Sequence, residues 1–179
     1  SVHSWVVFKR AGARRWSRYD VVGWGQPVRA NGWPVDGRWY GNMPVAIADV
    51  SGEAAEAMIP KVEAAVRDYS YNQAGDYRIW PGPNSNTFVA PVARDVLGFR
   101  LDLPANAVGK DYLPLTSAIA SAPSGTGVQL SVLGLAGVIV AAEEGIELNL
   151  LGLSLGIDIA RPALRLPGLG RVGLAKPGG

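Results

Sequence analysis

Three observations predict an α+β chain, in which an antiparallel sheet packs with two or three helices and a Gly/Leu-rich β section follows. Short runs of alternating apolar residues occur toward both ends. Two central stretches repeat at helical spacing. The aromatic content changes abruptly near residue 115. All six Trp lie between positions 5 and 80, whereas the residues beyond 115 carry no aromatic side chain and are dominated by Gly, Leu, Val and Ile. The chain therefore divides into a core over residues 1–115 and a β-rich section over 116–179 that packs on the same core.

The elements follow in order. "HSWVVFKR" reads as the first strand and "RYDVVGWG" as the second. "RWYGNMPVAIADV" supplies one or two more, with Asn31-Gly32 and Asp36-Gly37 as hairpin-type turns between them. Then the period changes. Ala55, Met58, Val62, Ala65, Val66 and Tyr69 form a helical stripe behind Ser51 as N-cap, and this stripe is core. Pro60 inside that run predicts a kink, or a second helix with Pro in its first turn. In "RIWPGPNSNTFVAPVARDV", Phe88, Val92 and Val96 again have helical spacing, and any of Asn84, Ser85, Asn86 or Thr87 can cap the helix. Pro91 predicts that this helix is short or kinked. "SAIASAPSGTG" is a turn-rich link. Beyond it "GVQLSVLG", "GVIVAA", "GIELNLLGLSLGIDI" and "ALRLPGLG" read as strands, with a hairpin turn at Glu143-Glu144-Gly145. The alternation of Ile146, Leu148 and Leu150 resumes out of phase at Leu153, which predicts a bulge beside Gly152.

Composition bounds the function classes. A hydrophobic content of 48% with 18% charged residues marks a folded chain. The knot of Lys9, Arg10, Arg14, Arg15 and Arg18, at a net charge of +2, is too small to argue for nucleic acid and suits a solvated or membrane-proximal face. The absence of cysteine removes disulfides, thiolate metal sites and a cysteine nucleophile. Glu143, Glu144, Glu147 and Asp158 lack calcium-loop spacing, and there is no glycine-rich phosphate loop, so neither a metal nor a cofactor is expected. The most apolar run, residues 128–142, is shorter than the roughly 20 residues a spanning helix needs. Since the chain begins at Ser1, the expectation is a mature or trimmed form whose signal or anchor precedes it.

The chemistry-bearing candidates are few. His3 is the only histidine and the natural general base. Ser85 is either part of a helix cap or a nucleophile at a helix N-terminus, where free N–H groups stabilise developing negative charge. Asn84, Asn86 and Thr87 beside it are candidate substrate-binding donors. Asp20 and Asp76 are the candidates to orient His3; Asp20 equally suits a pair with Arg18. The Trp residues fill a core or line a sugar or lipid platform.

Several stretches carry a resemblance: "HSWVVFK", "RYDVVGWG", "YRIWPGPNSNTFV", "AVGKDYLP", "SGTGVQLSVLGLAGV", "EEGIELNLLGLSLGID" and "RPALRLPGLGRVG". Together they resemble an uncharacterised bacterial family known as domain of unknown function 3750, over nearly the whole chain. That likeness implies a small protein of the cell envelope with a hydrophobic N-terminal segment outside this sequence. The first 100 or so residues are also similar to circularly permuted papain-like enzymes, the group of the NlpC amidases and lecithin–retinol acyltransferase. There a strand His precedes an N-C-x-x-F motif whose Cys is the nucleophile. Carried over, His3 takes the base position, Ser85 the Cys position and Phe88 the packing aromatic, with Ser in place of Cys as the departure. The implied activity is amide or ester hydrolysis or acyl transfer in the envelope, on a small-molecule, lipid or peptidoglycan-type substrate, with Asp20 orienting His3. The alternative is a non-catalytic relative that binds an envelope lipid, glycan or protein, its C-terminal strands packed on a membrane or another subunit.

Overall fold

A computed structural model describes residues 2–96 and 101–174. The order begins with three short strands, β1 (Val6–Phe8), β2 (Ser17–Val21) and β3 (Val28–Ala30), followed by the helices α1 (Gly52–Arg67) and α2 (Ser85–Asp95). A 3-10 turn at Leu115–Ser117 leads into β4 (Ile119–Ser121), β5 (Gly127–Val132), β6 (Ala136–Ala141), β7 (Gly145–Leu150), β8 (Leu153–Asp158), β9 (Ala163–Leu166) and β10 (Gly170–Gly173). The class is α+β as expected, with the larger share in two antiparallel sheets: β1-β2-β3, and the seven-stranded meander β10-β9-β8-β7-β6-β5-β4.

Both helices run through their prolines: α1 is one helix of 16 residues with Pro60 inside it rather than two helices, and α2, with Pro91 inside it, has 11 residues. Packing of their apolar stripes outweighs the lost backbone hydrogen bond. Ser51 stands at the N-cap of α1 without a side-chain cap bond. The stripe read from the sequence is core: Val62 and Val66 are buried with Phe88, Val89 and Val92 of α2, Val6 and Val21 of the first sheet, and Leu101 and Leu103.

The third strand is not where the sequence suggested. It comes from "VRA" at 28–30, while residues 38–50 form only an isolated bridge between Trp39 and Asn42. Tyr40 adopts a positive φ of 47° and Pro44 has no N–H to give a ladder, which accounts for the irregular path. Asn31, at φ 53°, uses its side chain to accept from Arg18 N, extending the β2–β3 pairing rather than turning a hairpin to a further strand. The link "SAIASAPSGTG" holds β4 and its hairpin to β5. The bulge expected beside Gly152 is instead a two-residue hairpin turn. Leu151 and Gly152 lie at φ 53° and 82°, both positive as a type I′ turn demands, and Leu150 faces Leu153 across it.

The alternation in the meander runs in an unusual sense. The face of the large sheet turned toward the rest of the molecule carries Gln129, Ser131, Glu147, Asn149, Ser154 and Arg165, all buried. The opposite face carries the apolar register row Val128–Val140–Ile146–Ile157–Leu164–Val172, all exposed. The sheet is joined to residues 101–113 by polar bonds. Lys110 Nζ and Arg165 Nη1 both hold Glu147, Arg165 also pairs with Asp102, and Gln129 Nε2 donates to Asp111 O at 2.9 Å.

Candidate functional site

The β1–β2 register pairs Val6 with Tyr19, and carried one residue further it sets Trp5 opposite Asp20. Side chains two residues apart share a face, so His3 meets Asp20. The contact is made: His3 Nε2 lies 3.1 Å from Asp20 Oδ1. Asp20 is fully buried, and Arg18, two residues earlier on the same strand, grips its two oxygens at 2.7 and 2.8 Å. Both partners that the sequence offered Asp20 are therefore real. Burial pushes its carboxyl up, but the bonds to His3 and Arg18 outweigh that and hold it below the ordinary 3.8.

Aromatic rings enclose the trio. Trp39 stacks on His3 at 3.9 Å between ring centroids and 9° between planes. The Arg18 guanidinium sits 4.0 Å above the Trp5 ring, and Trp33 lies at 5.8 Å. Trp5, Trp33 and Trp39 thus pack around the histidine and arginine, and Trp33 also lines, with Trp16, an open cavity of about 500 Å³. Asp76, the other candidate orienter, accepts from Gln73 N in its own loop.

The "PGPNSNTF" stretch resolves into a cap and a first turn. Trp80–Pro81 and Gly82–Pro83 are both cis. Asn84 is the N-cap: its Oδ1 accepts from Asn86 N and Thr87 N, while its Nδ2 donates to Ile79 O and Val108 O. Asn86 Nδ2 donates to Val2 O and Val108 O, and Thr87 Oγ1 to Gly109 O. The three residues read as substrate-binding donors thus have their polar groups engaged within the chain. They clamp the start of α2 to residues 108–109. Gly109, at φ 85°, is needed there, because a Cβ would lie 2.6 Å from Asn84 Nδ2.

Ser85 occupies the first helical position, one residue past the cap, and is 3% exposed. Its hydroxyl is the polar partner of the Tyr77 phenol, whose pKa is raised because burial outweighs that bond. The helix start and the histidine segment are fastened together: Ser4 Oγ donates to Asn86 Oδ1 at 2.8 Å. His3 and Ser85 are the immediate predecessors of these two residues. Among the described residues no hydrogen bond joins Ser85 to His3, and neither described cavity, of about 510 and 500 Å³, is lined by either residue. His3 turns toward Asp20 and Trp39, whereas Ser4 turns toward α2.

A family model described as "Protein of unknown function (DUF3750)" matches residues 1–112. The chain belongs to this family. The DUF3750 match covers the site described above and stops before the large sheet, so the C-terminal stretches that looked familiar fall outside it. No curated protein and no solved structure matches the chain.

Arg18 was legible as a partner of Asp20, since an Arg and an Asp two apart on one strand share a face. Trp39, Ser4, Tyr77 and the carbonyls of Val108 and Gly109 are the other site members. These depend on long-range approach and had no such signal. Among the described residues no helix is long and apolar enough to cross a membrane, and no group of three or more His, Asp or Glu is placed to hold a metal ion.

Proposed function

We propose that this DUF3750 protein is an amide- or ester-directed acyl-transfer enzyme or hydrolase of permuted papain-like architecture, acting in the bacterial cell envelope. Ser85 is the nucleophile, His3 the base and Asp20 the group that orients it. The observation that carries the reading is the His3–Asp20 pair, tied to the first turn of α2 by the Ser4–Asn86 bond. With Nε2 held by Asp20, Nδ1 is the nitrogen left to take the Ser85 proton. Ser85 Oγ attacks the carbonyl carbon, and the proton moves to Nδ1. Asp20 stabilises the resulting imidazolium, and the Ser85 N–H, the first-turn donor that Asn84 does not engage, faces the developing oxyanion. The leaving amine or alcohol takes the proton from His3, and water or a second acceptor then releases the acyl group. Catalytic hydrogen bonds often tighten only with substrate bound, and here the Trp39–Tyr40 segment over His3 must yield for access.

A fluorophosphonate probe tests this reading. Wild type should label covalently, and both Ser85→Ala and His3→Ala should abolish labelling without loss of fold by circular dichroism. A second reading has its own support in the burial of Ser85 and its bond to Tyr77: a non-catalytic relative that binds an envelope lipid, glycan or protein. Absence of labelling in wild type, with binding unchanged in Ser85→Ala, decides for it.

A further inference from the structure

The outer face of the large sheet plays no part in the acyl-transfer reading, and it is an uncovered apolar surface that runs across all seven strands. Besides the row already given, Ile119–Leu130–Val138–Leu148–Leu155 runs across five strands in register. Leu148 is 56% exposed and Leu155 50%. No charged side chain stands at any outward position of the paired strands. Seven strands spaced about 4.8 Å apart, most of them six residues long at about 3.3 Å per residue, make a face of roughly 30 by 20 Å, about 600 Å². Contiguous apolar surface above a few hundred Å² marks an interaction site.

We propose that this face is the interface of a symmetric dimer, covered by the same face of a second copy of the chain. Two such faces bury roughly 1,200 Å² even counted flat, which reaches the size of a stable specific interface. The chemistry is self-complementary. A surface dominated by Val, Ile and Leu with no charge to pair asks for another of its kind, and a two-fold axis supplies one. Laid face to face at about 10 Å, the two sheets form a β-sandwich whose dry layer is the apolar rows. A lipid surface fits less well. The six-residue strands are short of the roughly 9–11 that span a bilayer. The face carries neither the aromatic girdle nor the basic residues of a membrane-seated surface. β7 is the middle strand of the seven and Leu148 lies near its centre, so this side chain falls near the middle of the interface.

Sedimentation velocity on the 179-residue chain over the micromolar range tests the proposal. The expected mass is that of two 18.8-kDa chains. Leu148→Lys and, separately, Leu155→Lys should each weaken association by at least about a hundredfold, with unchanged far-ultraviolet circular dichroism. Val45→Lys, at an 81% exposed residue outside the sheet, should leave the dimer intact. A wild type that is monomeric throughout, or a dimer indifferent to both leucine substitutions, overturns the proposal. So does a monomer that floats with neutral phosphatidylcholine vesicles, which would give the face to lipid instead. None of these readings depends on Ser85 chemistry.

Discussion

Around Phe88 the chain hides Val6, Val21, Val62 and Val92, with the Arg18–Asp20 pair of β2 as its buried charge. Beneath β7 it hides Glu147, Arg165, Lys110 and Gln129, and leaves leucines outside. The first region is held by burial of apolar area, which is non-directional and tolerant of small rearrangement. The second is held to the first by buried ion pairs, whose desolvation cost is repaid only when every partner is in place. The lesson is that one chain can use alternation of the same period to opposite ends. The phase of the pattern does not say which face meets the rest of the molecule.

The comparison breaks most sharply at Glu147. Glu147→Ala strands Lys110 in a buried setting and leaves Arg165 with Asp102 alone, and should lower unfolding free energy by about 3–5 kcal/mol in urea denaturation. Phe88→Ala should cost a similar 3–5 kcal/mol, through a cavity. The two losses differ in rescue. Replacing Lys110 as well as Glu147 by Met should recover part of the first, since Lys110 is then no longer stranded.

Asn84→Ala comes next. It removes the cap of α2 and the donors to Ile79 O and Val108 O, and an expected loss of about 1–2 kcal/mol is checked by thermal and urea unfolding.

Acid sharpens the contrast with a smaller effect. The folded pKa of Asp20 is depressed, so its contribution is fully present above the ordinary 3.8 and is lost as pH falls through the folded value. Asp111 and Glu144, raised by burial at the large sheet, carry the opposite sign. Their contribution is present below the ordinary 3.8 and 4.5 and is lost as pH rises through the folded values. The stability difference between wild type and Asp20→Asn should therefore vanish as urea midpoints are followed to low pH. A difference that persists there would place the role of Asp20 in packing instead.

The smallest effect belongs to Arg10–Glu63, a solvent-exposed pair at 2.7 Å; Arg10→Ala should move stability by no more than about 0.5 kcal/mol.

Much of the architecture is legible in the sequence because it is local. The helical stripe ending at Tyr69, the start of α2 among Asn84–Thr87, and β5, β6 and β9 follow from spacing alone, whereas β7 and β8 read as one bulged run and β10 goes unread. What escaped reading is non-local or a matter of side. Residues 38–50 have strand-like composition, but Tyr40 and Pro44 break the ladder. The inversion of the large sheet is invisible without its neighbour, residues 101–113. At the site, His3, Asp20 and the helix start were legible as residue types. The engagement of Asn84, Asn86 and Thr87 was not, because it depends on backbone carbonyls at 108 and 109.

The confinement of every tryptophan to residues 5–80 gives the molecule an optical division of labour. Indole fluorescence reports chiefly the histidine region, with Trp39 in contact with His3, and meets the meander only at Trp80, whose Nε1 donates to Leu151 O; the strand band of the infrared amide I region follows the meander. Contacts within the meander join sequence neighbours, whereas the Ser4–Asn86 bond closes a loop across 82 positions and must await a longer search. In a refolding experiment the amide I strand band should therefore recover ahead of the fluorescence, so the two signals time the assembly of the two regions without any label.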